Sequence, residues 1–132
     1  MTDKAIFPAR IARAVADKLA AELASTTAQI EIAGSLRRKK PFVHDIDMVV
    51  LPSGDGNAFK VALETLMQRG SLTPIRDGDK IKVFMAAKTG IPIDFYIASR
   101  ETFSTLLLIR TGSKEHNIKL AMRARELGCI RD

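Results

Sequence analysis

A chain of 132 residues, 46% of them apolar, is long enough for one domain with a real core and too short for two ordinary ones. Its formal charge of +6 either keeps a small protein soluble or answers a polyanionic partner. The single cysteine, Cys129, excludes an internal disulfide and a Cys-based zinc site, and no apolar run reaches the length of a signal-peptide core or membrane span, so a soluble, cytoplasmic chain is expected.

Pro8 opens a segment in which Ile11, Val15, Leu19 and Leu23 recur every four residues, the pattern of an amphipathic helix with Pro in its first turn. Gln29 to Ala33 alternates as a short strand, and Gly34-Ser35 ends it with a turn. A second strand runs from His44 to Leu51. Beyond a loop at Pro52 to Gly56, the residues Phe59, Ala62, Leu63, Leu66 and Met67 mark a second helix that Gly70 can close. Three strands follow, Leu72 to Arg76, Ile81 to Ala86 and Ile91 to Ala98. Asp77-Gly78 joins the first two as a hairpin, and Lys88-Thr89-Gly90 makes the next turn. From Glu101 to Ile109 and from Lys114 to Leu127 the pattern turns helical, broken by Thr111-Gly112-Ser113. This order fits an α+β domain: a mixed sheet with helices on one face and acidic residues on the other. The chain reads as a single unit, 1–132, with 101–132 as a minimal C-terminal helical portion.

The informative stretch couples a small-residue turn and two arginines, Gly34-Ser35-Leu36-Arg37-Arg38, to an acid-bearing strand, His44-Asp45-Ile46-Asp47-Met48-Val49-Val50. Residues two apart on a strand share a face, so Asp45 and Asp47 are expected about 6 to 7 Å apart on one side. Two such carboxylates can share a pair of divalent ions of the kind that clamps a reacting phosphoryl group. Asp94, in Ile93-Asp94-Phe95-Tyr96-Ile97, joins them if its strand is a neighbour. An unpaired cluster of that kind is costly to bury unless metal or water compensates it. Gly34 lets backbone N–H groups approach a phosphate, Ser35 adds a hydroxyl, and Arg38 offers bidentate charge. An ordinary turn at Gly34-Ser35 and a solvent-facing acid at Asp94 are the plainer alternatives. His44 should be a structural or surface residue; His116 is by default a helix-surface residue, with a nucleic-acid contact as the lesser alternative. The basic cluster Arg37 to Lys40 and the C-terminal Arg110, Lys114, Lys119, Arg123 and Arg125 are either solvated or set against a phosphate backbone.

Four features in order, the Gly34 to Arg38 turn, the Asp45-Ile46-Asp47 strand, the later acid Asp94, and Thr111-Gly112-Ser113-Lys114-Glu115-His116-Asn117, resemble the family X DNA polymerases, the last looking like bacterial and archaeal members. The resemblance runs from about Ile30 to Gly128. It implies a polymerase-beta-like nucleotidyltransferase palm in which Asp45, Asp47 and Asp94 hold two Mg²⁺ ions, with Mn²⁺ as an alternative. It further implies that Gly34, Ser35 and Arg38 bind the triphosphate of a dNTP, that Thr111, Gly112 and Ser113 form the bend beside its sugar, and that Lys114 and Asn117 contact the nucleotide or its base pair. The reaction implied is in-line attack of a primer 3′-hydroxyl on the α-phosphorus with pyrophosphate leaving, on primer-template or gapped DNA, in repair. Ile109 and Arg110 stand where family members commonly carry an aromatic pair, and Pro92 where an arginine is frequent. The chain lacks the helix-hairpin-helix region that grips gapped DNA, so it looks like a palm with a thumb remnant whose DNA grip a protein partner could supply. Two alternatives keep the residues and change the role. One is a template-independent nucleotidyltransferase acting on RNA, protein or a small molecule, and the other is a non-catalytic nucleic-acid-binding module.

Overall fold

The computed structural model describes residues 5–112. A short strand β1 (Phe7–Pro8) leads into helix α1 (Ala9–Leu23), one turn of 3₁₀ helix (Ala24–Thr26), strand β2 (Thr27–Ala33) and helix α2 (Gly34–Arg37). Strands β3 (Phe42–Val43) and β4 (Ile46–Pro52) follow, then helix α3 (Asn57–Gln68), strands β5 (Leu72–Asp77), β6 (Ile81–Ala86) and β7 (Pro92–Ile97), and helix α4 (Phe103–Thr111). The expected Lys114 to Leu127 helix lies outside the described residues, and among those described no helix is long and apolar enough to cross a membrane.

The main sheet has five strands in the order β2-β4-β7-β6-β5, and β1 pairs with β3 in a two-stranded ribbon. Among the described residues only β4 and β7 are parallel; β2 with β4, β7 with β6 and β6 with β5 are antiparallel. The α+β class with a mixed sheet is as expected. The parallel pair forms because α3 and the β5–β6 hairpin intervene in sequence and give the chain length to cross back.

Helices α1 and α3 cover one face. Ile46, Met48 and Val50 of β4, Ile93 and Phe95 of β7 and Phe84 of β6 are buried there with Leu19, Leu23, Phe59, Leu63 and Leu66. Phe95 is the hub, its ring edge-on to Phe59 at 6.0 Å and to Phe84 at 5.8 Å. The expected stripe on α1 holds at Leu19 and Leu23 and is turned one residue in the N-terminal half. Ala12 and Ala16 are buried with Leu19 and Leu23, while Ile11 is 38% exposed. Small alanines allow the helix to approach the sheet closely, and the larger Ile11 and Val15 sit toward the rim. The opposite face is covered in part by α4, whose Phe103 packs with Ala33, Val49 and Ala98, joined by Leu106 and Leu107.

Local signals hold at most turns. Gly70 takes φ +75° after α3, with its N–H donated to Met67 and that of Ser71 to Leu66, the left-handed closure expected of glycine past a helix end. The β5–β6 hairpin closes through Gly78 N–H to the Ile81 carbonyl.

Several strand ends differ from expectation by one or two residues, such as β2 starting at Thr27 and β7 running from Pro92 to Ile97, and three boundaries near the acids also differ. Gly34-Ser35 begins a four-residue helix rather than a simple turn. Strand β4 starts at Ile46, so Asp45 precedes it, because the chain bends at His44. Helix α4 runs from Phe103 to Thr111, two residues later at each end than the expected span, so Thr111 is its last helical residue rather than part of the break.

Candidate active site

Asp47 and Asp94 occupy matching positions on the parallel strands: Asp47 pairs with Asp94, flanked by Ala33 on β2 and Val83 on β6. Strand alternation dictates their face. Ile46 and Met48, and likewise Ile93 and Phe95, enter the core under α1 and α3, so the acids between them emerge on the other side. Asp45, released from the pleat by the bend before β4, completes the group. One carboxylate oxygen from each of Asp45, Asp47 and Asp94 lies within 4.8 Å of the others.

Three like charges at this spacing cannot all be carried at no cost. Burial, then the Asp45 and Asp94 charges, then a side-chain hydrogen bond with Asp94 push the Asp47 carboxyl from an ordinary 3.8 up to about 7. One group opposes the shift: the Tyr96 hydroxyl donates to Asp47 Oδ1 at 3.5 Å. Tyr96 is itself held protonated by burial and by the Asp47 and Asp94 charges, with Arg110 pulling the other way. The Arg110 guanidinium lies 4.4 Å from the centre of the Tyr96 ring, a cation–π contact.

The Gly34 to Arg38 segment is docked against this cluster. Gly34 has φ +63°, and a Cβ placed there would collide with Asp47 Oδ2 and stand 3.1 Å from the Asp47 Cβ. Only glycine satisfies both the backbone conformation and the close approach. Arg38 donates from Nη2 to Ser35 Oγ at 3.2 Å and from Nη1 to the Thr111 carbonyl at 2.6 Å, bringing the end of α4 to the start of α2. Gly112 follows at the C-terminal end of α4. The Thr111 hydroxyl oxygen is buried with no hydrogen-bond partner among the described residues.

The structure thus brings together Asp45, Asp47 and Asp94, sets Gly34 against Asp47, and links Ser35 and Arg38 to Thr111. Ser113, Lys114 and Asn117 lie outside the described residues, as do His116, Lys119, Arg123, Arg125 and Cys129. His44 is exposed, with Nδ1 3.0 Å from the Ala5 carbonyl, a link between the N-terminal segment and the bend. Tyr96 was not singled out from sequence. The signal that could have found it is its position two residues after Asp94, on the same strand face.

All potential ligand atoms here are carboxylate oxygens, which suits a hard divalent cation such as Mg²⁺ or Mn²⁺. The repulsion that raises Asp47 is what such an ion would relieve, so the residues fit the group.

No family model matches the chain. The DNA polymerase/3′-5′ exonuclease PolX of Bacillus subtilis (strain 168) is 32% identical to it over 125 residues, 92% of this chain and 21% of that protein. The expected resemblance to the family X DNA polymerases is borne out. In fold, the chain is similar to polymerase beta of Leishmania infantum. A structure described as its ternary gap complex gives a TM-score of 0.78 at 19% identity, covering 92% of this chain and 47% of that one. The ternary P/T complex gives 0.77 at 20% identity, covering 92% and 54%. The chain therefore spans about a fifth of the curated family X relative and about half of each polymerase beta chain. These likenesses establish a polymerase-beta-like fold for the five-stranded sheet and its helices.

Proposed function

We propose that this chain is a minimal nucleotidyltransferase of the family X type, adding nucleotides from dNTPs to the 3′-hydroxyl of a DNA primer or gap with release of pyrophosphate. The observation that carries the reading is the convergence of Asp45, Asp47 and Asp94 within 4.8 Å, with Gly34 fitted against Asp47. A solvated surface cluster would need no glycine pressed against one of its members.

Asp45, Asp47 and Asp94 would hold the divalent ions, Mg²⁺ or Mn²⁺, which when bound neutralise phosphate charge and lower the pKa of an attacking hydroxyl. The chain's own residues position the reactants. The β4–β7 register fixes Asp47 beside Asp94, and the Tyr96 hydroxyl steadies the Asp47 carboxylate as a hydrogen-bond donor. Ser35 and Arg38, joined by a hydrogen bond, would take the triphosphate oxygens, Arg38 exchanging the Thr111 carbonyl for a charged partner, a stronger acceptor. Thr111, Gly112 and Ser113 would lie beside the sugar, with Thr111 supplying an unsatisfied hydroxyl, and Lys114 and Asn117 would contact the nucleotide. No covalent intermediate is required; positioning and charge neutralisation supply the catalysis. DNA repair is the proposed setting, the chain acting as one palm unit with a short helical C-terminal portion. Its grip on DNA would be weak and salt-sensitive, leaving room for a protein partner.

The stacking of Arg110 on Tyr96 favours a second reading on the same fold. A cation beside the acids, where relatives commonly carry an aromatic, suits an altered nucleotide sugar or a different acceptor, and hence a template-independent transferase.

Incorporation of each labelled dNTP and NTP onto a primer, a primed template and a one-nucleotide gap, with Mg²⁺ and with Mn²⁺, tests both. Template-matched addition that disappears in Asp47→Ala is the expected result. Addition without regard to template would transfer the assignment to the second reading, and no addition to any acceptor would overturn both.

A further inference from the structure

On the helix-bearing face of the sheet, away from the carboxylates, a groove of about 210 Å³ opens between α1, the end of α3 and the turn after β6. Its floor is apolar: Leu19, Leu66, Leu72 and Ala86 are buried in the fold yet line it. The gap follows from the sequence. Gly70, Ser71 and Ala87 stand where the chain passes from α3 to β5 and from β6 into its turn, and the Ala87 N–H is donated to the Ser71 carbonyl at 3.0 Å. With residues this small at the crossing, nothing among the described residues fills the space that native packing density would otherwise close. The volume falls short of the roughly 300 to 1,000 Å³ of small-molecule sites and suits the anchor side chains of a peptide.

The apolar surface continues along α1. Ile11, Val15 and Leu19 are four residues apart, hence in line on one side of the helix over about 12 Å. Ile11 is 38% exposed and Val15 half-buried, so the first half of the hydropathic stripe leads along the rim into the groove. The rim is also charged. Lys18, Arg69 and Lys88 line it with one carboxylate, Glu22. Arg69 stands 4.0 Å from Glu22 with its side chain 66% exposed, a pair worth little in water. Lys18 and Lys88 have no ion-pair partner among the described residues.

We propose that this groove docks an amphipathic helix of a partner protein, with leucine-like residues on its inner stripe and acidic residues on its flanks. The helical spacing of Ile11, Val15 and Leu19 matches apolar positions three and four apart on a helix laid beside α1, and the groove at Leu19, Leu66 and Leu72 takes an anchor from that stripe. Glutamates or aspartates on the flanks meet Lys18, Arg69 and Lys88, which complement an acidic segment and oppose a basic one. A nucleic-acid strand has no branched apolar side chain to seat on this floor. The site lies on the face opposite Asp45, Asp47 and Asp94, so a partner held there leaves the carboxylates open, and the assignment stands whether or not the chain transfers nucleotides.

The test uses a fluorescent peptide of about 14 residues, roughly four helical turns, with leucines in a helical stripe and glutamates on its flanks. Binding is read by anisotropy and by amide shifts of the isotope-labelled chain. A Kd of about 10 to 100 µM is expected at low salt, the weak range of a small interface, with shifts at Lys18 to Glu22, Gly70 to Ser71 and Ala87 to Thr89. Lys18→Glu/Lys88→Glu should weaken binding about tenfold or more, and Glu22→Gln should tighten it about twofold. Ala87→Phe, whose ring fills the groove at unchanged charge, should weaken it about tenfold. Equal binding of a glutamate-only peptide or of the lysine-flanked counterpart overturns the proposal. So does unchanged affinity in Ala87→Phe, or no binding by the wild type up to about 1 mM. Sedimentation equilibrium showing a dimer that Ala87→Phe abolishes would give the groove to a second copy of the chain, and duplex DNA shifting the same amides would give its cations to phosphate; either result overturns the partner helix.

Discussion

Asp47 and Asp94 face each other in register across the one parallel strand pair among the described residues, close enough to share a hydrogen bond and for Asp94 to raise the cost of ionising Asp47. The folded chain holds them there because Ile46, Met48, Ile93 and Phe95 on the alternate positions are fully buried beneath α1 and α3. Slipping either strand by one residue would turn its acid into the core and its two large apolar neighbours out.

Removing one of these charges should therefore stabilise the metal-free protein while destroying its chemistry. Asp94→Asn keeps the shape and hydrogen-bonding capacity but ends the repulsion. A gain of about 1 kcal/mol, a few degrees in Tm in EDTA, is the expected outcome. Nucleotide incorporation should fall by several orders of magnitude, and stabilisation by added Mn²⁺, expected in the wild type, should shrink. A variant that melts earlier than wild type in EDTA would mean that Asp94 is a structural partner rather than a strained ligand.

The same repulsion gives the metal-free protein a distinctive pH dependence. Asp47 titrates near 3.8 when unfolded and at about 7 when folded, so between those values the native state binds more protons than the unfolded one. Stability must then fall as pH rises from about 4 to about 7, with a slope of at most about 1.4 kcal/mol per pH unit from this group. Above the folded value the loss is complete. Denaturant melts in EDTA across that range should show the decline, and Asp47→Asn should flatten it. Added divalent ion, competing with the proton, should offset the loss increasingly toward neutral pH.

Gly34→Ala tests the fit of the α2 turn against the acids. Both the positive φ and the collision with Asp47 oppose a methyl group, and a loss of about 2 to 3 kcal/mol is expected. Gly34→Ala combined with Asp47→Gly removes the collision and leaves only the backbone strain, so the pair should be non-additive by about 1 kcal/mol. Additive losses in chemical melts would place the whole cost in the backbone.

Much of this was legible in the sequence because the signals were local. Period-two alternation in Ile46 to Val50 and in Ile93 to Ile97 defines which residues face the core, and that settles the face of Asp47 and Asp94 before any contact is known. Gly70 and Asp77-Gly78 mark their turns by backbone chemistry. The position of Asp45 was not legible, because its departure from the strand depends on the bend at His44 and on that side chain's contact with Ala5. Nor was the N-terminal half of the α1 stripe, although Leu19 and Leu23 are buried as expected. Ile11 and Val15 outweigh Ala12 and Ala16 in hydropathy, but closeness of approach to the sheet decides which of them is buried. The Arg38 to Thr111 link spans 73 residues, beyond any local pattern. The chemistry of the Gly34-Ser35 turn pointed to Arg38, and family resemblance pointed to Thr111.

Tyr96 joins the acids to α4, and Tyr96→Phe separates its two contacts. The ring remains for Arg110 to stack on, while the donor to Asp47 Oδ1 at 3.5 Å is lost. Because that hydrogen bond favours the ionised carboxylate, its removal should push the Asp47 titration higher still, and metal binding at pH 6 to 7 should weaken more than at pH 8. At so long a distance the bond is weak, so a roughly three- to tenfold loss of metal affinity at the lower pH is expected, with stability changed by under about 1 kcal/mol. Turnover should follow the same pattern, depressed near pH 6 and recovering as pH rises, with KM for the nucleotide nearly constant. Arg110→Ala serves as the complement, since loss of the cation–π contact costs about 0.5 to 1 kcal/mol and leaves the hydroxyl in place. Isothermal titration with Mn²⁺ at the two pH values reads both variants. An equal loss at both pH values in Tyr96→Phe would show that the hydroxyl acts by shaping the site rather than by favouring the charged form of Asp47.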